Sequence, residues 1–217
     1  MNPKLKIDIV SDVSCPWCII GYQSLSAALK QLAPELGADI AWKPFELNSA
    51  MPAAGEHLGE HLQKKYGSTA ADVEQGRAML TARGAALGFQ FNFKPDARIY
   101  NTFNAHRLLY WARQYNKQTE LKLALFALYF SEGGNPSDVE QLLQVVAKVG
   151  LPQDEARALL QSEQLVKEVR AEQAKYQSMG ITSVPTFIIN DQYTITGGQP
   201  VESFVQILTE LAAKQAA

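Results

Sequence analysis

The chain of 217 residues holds two cysteines, Cys15 and Cys18, two residues apart at the junction of a strand pattern and a helix pattern. Upstream, Leu5-Lys6-Ile7-Asp8-Ile9-Val10 is apolar, β-branched and alternating, which predicts a strand. Downstream, Ile19, Ile20, Leu25, Ala28, Leu29 and Leu32 recur at helical spacing, and the pattern ends near Pro34 and Gly37. A C-x-x-C at such a junction sets its first cysteine at a helix N-terminus. There, unpaired backbone N–H groups and the positive end of the helix dipole stabilise an anion. Disulfide exchange runs through a thiolate, so this setting predicts a lowered pKa for Cys15 and makes it the attacking sulfur. Pro16 suits the first helical turn, where its missing N–H costs nothing. Cys18, one turn further in, is expected to be more buried and to act as the resolving thiol.

Other uses of the pair fit less well. A purely structural bridge across two residues closes a very small loop and constrains the unfolded chain little. Two inert core thiols would not require Pro16-Trp17 between them at a helix start. Zinc needs two further ligands; His57 and His61, spaced i, i+4, are the candidates, but the redox reading calls for no metal.

Hydrophobic residues make up 47% of the chain and charged residues 19%, an ordinary globular balance with length enough for a real core. A formal charge of −2 gives no electrostatic reason to expect nucleic acid or an anionic membrane as partner. Met1-Asn2-Pro3-Lys4 leads straight into the first strand without an apolar leader, and no run approaches the roughly 18 apolar residues of a membrane span. The expected location is the cytoplasm, where a cysteine pair is more often catalytic or metal-binding than structural.

A second strand is predicted over Asp39 to Pro44, completing a β-α-β unit of the kind that opens a partly parallel sheet. Residues 55–178 then read as helical almost throughout. Helices are predicted over Gly55–Tyr66, Ala70–Leu87, Thr102–Tyr115 and Gln118–Ser131. Asn135-Pro136-Ser137-Asp138 starts another, with Val139, Leu142, Leu143, Val146 and Val149 as its apolar stripe, ending at Gly150. A shorter helix follows Leu151-Pro152, and the last of this run is Leu165–Met179. Phe89-Gln90-Phe91-Asn92-Phe93 alternates and reads as a short strand or an extended loop, its rings packing core rather than lining a groove. Thr186–Asn190 and Tyr193–Thr196 form a hairpin about Asp191-Gln192, and Val201 to about Ala213 is a final helix with Phe204, Val205, Leu208 and Leu211 inward. The fold class is α/β: residues 1–48 carry the N-terminal βαβ part, 49–178 an inserted helical domain, and 179–217 a C-terminal ββα part.

Val184-Pro185 stands at the entry to the third strand, where proline is tolerated. Were that bond cis, the backbone N–H and C=O of Val184 would be open to a substrate chain. Cys15-Pro16-Trp17-Cys18, the helical insertion and Val184-Pro185-Thr186-Phe187 before a hairpin together resemble the DsbA-like branch of the thioredoxin superfamily. Ser11-Asp12-Val13-Ser14, Trp42-Lys43-Pro44-Phe45-Glu46-Leu47-Asn48, Asn101-Thr102-Phe103-Asn104-Ala105-His106-Arg107 and Gly197-Gly198-Gln199-Pro200 narrow the resemblance to the FrnE-type dithiol–disulfide oxidoreductases or isomerases. It spans essentially the whole chain. The resemblance implies a thioredoxin fold with a large inserted all-helical domain and a cis Pro185 packed against the cysteines. Pro-Trp replaces the Pro-His of periplasmic DsbA, so the strong oxidising character tied to that histidine does not carry over. This sequence also has no cysteines near its C-terminus, unlike some FrnE-type members.

The expected activity is thiol–disulfide exchange on disulfide-containing proteins or small thiols, with Cys15 and Cys18 catalytic. Pro16, Trp17, Val184, Pro185 and His106 are the substrate-binding candidates. No cofactor is required, glutathione being the natural candidate for a redox partner. Asp12 reads as a turn residue rather than as a proton acceptor for Cys18, Trp17 as exposed, and Trp42 and Phe45 as core. The main rival is a glutathione-dependent isomerase or transferase of the 2-hydroxychromene-2-carboxylate isomerase and kappa-class type, which resembles this fold but commonly works through one Ser or Cys. A non-enzymatic rival is a holdase built on the groove around Phe89, Phe91 and Phe93.

Overall fold

The structure, a computed structural model, describes residues 4–216. The expected direct run of Met1-Asn2-Pro3 into the first strand falls outside the described residues. β1 (Lys4–Ser11) pairs in parallel with β2 (Gly37–Pro44), from Lys4↔Gly37 to Ser11↔Pro44, and α1 (Pro16–Leu32) makes the crossover. β5 (Thr186–Ile189) runs antiparallel along the other edge of β1, and β6 (Tyr193–Thr196) pairs antiparallel with β5, giving the order β2-β1-β5-β6. The central position of β1 explains why alternation fades into continuous burial after Lys6: both faces are covered. α9 (Val201–Ala216) buries Phe204, Leu208 and Leu211, and the Phe204 ring meets Phe187 edge-on at 5.0 Å. Val10 pairs with Thr186. Val184-Pro185 therefore enters β5 beside the end of β1, where Cys15 begins.

The hairpin turn has three residues, Asn190 to Gln192, rather than two. Asn190 and Asp191 take left-handed backbone (φ 53° and 56°), which these residue types tolerate best after glycine, and Asn190 Oδ1 accepts a bond from Lys6 N–H at 3.0 Å.

The region between β2 and β5 is helical, with departures that have local causes. The helix expected from Gly55 starts later. Arg98 donates to the carbonyls of Ala54 and Gly55, and that stretch forms a two-residue strand, β3 (Glu56–His57), paired with β4 (Arg98–Ile99). α2 (Leu58–Tyr66) and α3 (Ala70–Ala86) follow, α3 opened by a capping box between Thr69 and Asp72. Phe89 to Phe93 forms no strand; its rings pack on one another and on Phe130. α4 (Phe103–Trp111) tightens into a 3₁₀ turn, Ala112–Tyr115, closed by left-handed Asn116. α5 (Gln118–Phe126) widens into a π turn, Ala127–Ser131, as Phe130 turns in to meet Phe126 and Phe91. α6 (Val139–Lys148) is capped by Asp138, which accepts from Gln141 N–H; α7 (Gln153–Leu160) and α8 (Val166–Ser178) complete the set.

The helices join the sheet at its β2 edge. Gln118 Oε1 accepts from Trp42 N–H at 2.8 Å, and its Nε2 donates to Trp42 O at 2.9 Å. A buried side-chain amide thus satisfies a strand edge that would otherwise invite another chain. Among the described residues, no helix is long and apolar enough to cross a membrane.

Candidate active site

Cys15 is the N-cap of α1, with extended backbone (φ −95°, ψ 111°), and Pro16 occupies the first helical position. Cys15 is 4% exposed and Cys18 fully buried; both are free thiols. The Val184–Pro185 bond is cis, and the Cys15 thiol lies 3.5 Å from the Val184 carbonyl, to which it donates. Gly21 lets α1 come this close to the strand entry. A Cβ there would sit 3.1 Å from the Phe187 ring and 3.2 Å from the Pro185 ring.

The two thiols titrate as one unit. Cys15 is pushed up and Cys18 down, opposite to the direction that helix-terminus reasoning predicts. The Cys18 side chain close by, then burial and the nearby negative charges of Cys18 and Asp12, push Cys15 well up. Burial also disfavours a charged Cys18, but the Cys15 thiol, the Lys122 ammonium and Ser11 together bring Cys18 below its ordinary value. Lys122, on α5, is 1% exposed and lies over the rings of Phe126 (4.8 Å) and Trp42 (5.3 Å). Burial pushes its pKa down to about 8, opposed by Cys18, Asp12 and Cys15.

Asp12 organises the loop ahead of Cys15. Its carboxylate accepts from Leu47 N–H at 2.7 Å, the Ser14 hydroxyl at 3.0 Å and Ser14 N–H at 3.3 Å. Burial would raise its pKa, yet His106, the Leu47 backbone and Thr102 hold it at about 2. Asp12 is thus a turn residue and too weak a base to collect a thiol proton at neutral pH. His106 Nε2 stands 3.4 Å from Asp12 Oδ1 in a fully interior setting.

A groove of about 440 Å³ opens on Cys15. Ser14, Cys15, Pro16, Trp17 and Val184 line the redox side, and residues of α2, α3 and the Phe93 and Phe130 region line the other. Cys15, Pro16, Trp17 and Val184 therefore come together on it, with Pro185 behind Val184. His106 lies behind Asp12, off the groove. Trp17 is half-buried rather than exposed, because Arg83 of α3 stacks over its ring at 5.1 Å. Trp42 is buried at 2% and Phe45 half-buried. His57 caps α2, while His61 contacts Glu56 and Asn48. Among the described residues no group of three His, Cys, Asp or Glu could hold a metal.

Sequence reasoning overlooked Lys122. Its signal was a single charge inside the apolar run Leu121 to Tyr129, a position that burial makes consequential. Lys65 and Arg77 were overlooked as well, since surface cations on a helix carry no motif.

Residues 6–209 match the family model of the DSBA-like thioredoxin domain. The uncharacterised YwbO protein of Bacillus subtilis is 26% identical over 211 residues, covering 96% of this chain and 98% of its own. A probable DsbA oxidoreductase from Streptomyces coelicolor, known from its crystal structure, is 30% identical over 95% of this chain and 89% of its own, with a TM-score of 0.89. A 2-hydroxychromene-2-carboxylate isomerase shares the fold alone: 16% identity, 97% and 98% coverage, TM-score 0.72.

Proposed function

The chain belongs to the DSBA-like thioredoxin domain family, and from that premise we propose that it is a thiol–disulfide oxidoreductase acting through Cys15 and Cys18. The observation that carries this reading is the pair itself. Two free thiols stand two residues apart, one sulfur facing a groove and the other sealed beside a buried cation. We assign the chain to the FrnE-type branch, with residues 1–48 and 179–217 as the redox fold and 49–178 as the insertion.

The reaction begins as Cys15 passes its proton to Cys18, leaving the thiolate on the sulfur that faces the substrate. Cys15 then attacks one sulfur of the substrate disulfide; that S–S bond breaks, a Cys15–substrate bond forms, and the first thiolate leaves and takes a proton from water. Cys18 gives up its proton to water, with Lys122 stabilising the anion, and attacks Cys15. The second substrate thiolate departs, and the enzyme keeps both sulfurs as a disulfide. Two electrons pass to the substrate, and of the two protons its thiols take up one comes from the cysteine pair and one from water; run backwards, the same steps introduce a disulfide. The Val184 carbonyl beside Cys15 is positioned to hold substrate backbone or a departing thiol.

Trapping tests this. With a disulfide substrate, Cys18→Ser should accumulate a mixed disulfide at Cys15 visible by intact mass, whereas Cys15→Ser should form none. A mixed disulfide on Cys18 in the Cys15→Ser protein at an equal rate, or a Cys15→Ser protein that keeps full exchange activity, would refute the assigned roles.

A further inference from the structure

The groove beside Cys15 has a largely apolar wall that carries two cations. Leu62, Leu80, Phe93 and Phe130 supply much of the wall, and Lys65 of α2 and Arg77 of α3 supply the charge. Neither cation meets a carboxylate among the described residues. Lys65 Nζ donates to two neutral oxygens, Leu47 O at 2.9 Å and Asn48 Oδ1 at 2.7 Å. Arg77 Nε is buried and hydrogen-bonds to no protein group. The lone acid lining the groove among the described residues, Asp72, is taken up by the Thr69 backbone N–H and hydroxyl at 2.8 and 2.7 Å.

Resting on the dithiol-exchange reading, we propose that this groove selects a low-molecular-weight disulfide bearing a carboxylate, which Arg77 and Lys65 hold while its S–S bond lies at Cys15. The chemistry is that of a guanidinium and an ammonium, neither paired with a carboxylate, meeting an anion in a partly dry site, where charge-assisted bonds are strongest. The volume is in the range of small-ligand sites, about 300–1,000 Å³. Arg83 ties α3 to Trp17 at the rim of the groove. The exchange keeps the balance given above: the small disulfide is reduced to two thiols, and the enzyme pair is oxidised.

The test is single-turnover oxidation of the reduced protein by glutathione disulfide (anionic), bis(2-hydroxyethyl) disulfide (neutral) and cystamine (cationic). Thiols are counted after acid quench and alkylation. Each rate constant is divided by that of free dithiothreitol with the same disulfide, which removes differences in leaving-group acidity. The expected order is anionic, then neutral, then cationic, with a spread of at least about tenfold at low salt that narrows at high ionic strength. Arg77→Gln combined with Lys65→Gln should cut the anionic-to-neutral ratio about tenfold, and Arg77→Lys much less. Because both substrates are read on one preparation, any misfolded fraction cancels from the ratio. A ratio unmoved by the double substitution overturns the proposal. So does parity of neutral and anionic disulfides in the parent, or a disulfide-bonded protein such as insulin reacting faster after the same correction. If no disulfide reacts faster than with free dithiothreitol, the exchange reading itself fails; the other outcomes leave that reading standing and reject only the charge selection.

Discussion

Single residues set the charge state of the cysteine pair, and Lys122 is the most consequential of them. Its ammonium is buried against two rings and held at about pKa 8, below the ordinary 10.5. A folded pKa lowered in this way means that the unfolded chain binds the extra proton between pH 8 and 10.5, so stability contributed here rises with pH across that window. Lys122→Met should therefore be more stable than the parent at pH 7, by up to about 3 kcal/mol, with the gap closing above pH 10 in urea titrations. The same variant should move the thiolate absorbance of the pair to higher pH. A more stable protein with an unmoved thiolate midpoint would mean that Lys122 does not act on Cys18. Asp12 has the opposite sign. Its pKa of about 2 against an ordinary 3.8 gives stability that is complete above pH 4 and lost as pH falls toward 2. Asp12→Asn should cost about 2 kcal/mol at pH 7 and almost nothing near pH 2, as urea midpoints over that range would register.

At the scale of elements, two packing arrangements make distinct predictions. Gly84 in α3 leaves no room for a side chain: a Cβ would lie 2.6 Å from the Phe91 ring and 2.7 Å from the Phe89 carbonyl. Alanine improves helix propensity by about 1 kcal/mol, yet backbone stands in the way and cannot swing aside. Gly84→Ala should thus lower stability by about 1–3 kcal/mol, seen as a lower denaturation midpoint at constant slope. Gln118 holds the edge of β2 through both halves of its amide. Gln118→Ala strands the Trp42 backbone groups and should cost about 2 kcal/mol; a loss below half of that would show the edge finds other partners. The starts of these elements were largely legible. Asp138 caps α6, and Gly150 follows its end with φ 75°, as the sequence pattern says. The π turn at Ala127–Ser131 and the strand Glu56–His57 were not legible, because ring packing around Phe130 and the Arg98 contacts are made by residues distant in sequence.

At the scale of the molecule, Trp42 reports on the join between sheet and helices. Its ring touches Tyr22 of α1 and Phe126 of α5, and its indole N–H donates to Thr119. If the inserted helices and the sheet fold as one cooperative unit, the fluorescence of Trp42, isolated by Trp17→Phe and Trp111→Phe, and far-ultraviolet circular dichroism should trace the same urea transition. Two separated transitions, the helical signal persisting after Trp42 is exposed, would show that the insertion is stable by itself.

The cysteine pair, the β-α-β entry, the Val184-Pro185 approach and most helix limits came from sequence alone. Those features rest on local rules: periodicity, capping residues and the chemistry of a thiol at a helix start. Tertiary structure decided the direction in which each thiol is pushed. The helix terminus favours Cys15, but a lysine 104 positions after Cys18 and a carboxylate ahead of the motif act through space at short range in a dry interior, where they outweigh it. It also decided the character of the groove, because Arg77 and Lys65 reach the redox wall only when α2 and α3 fold back over α1.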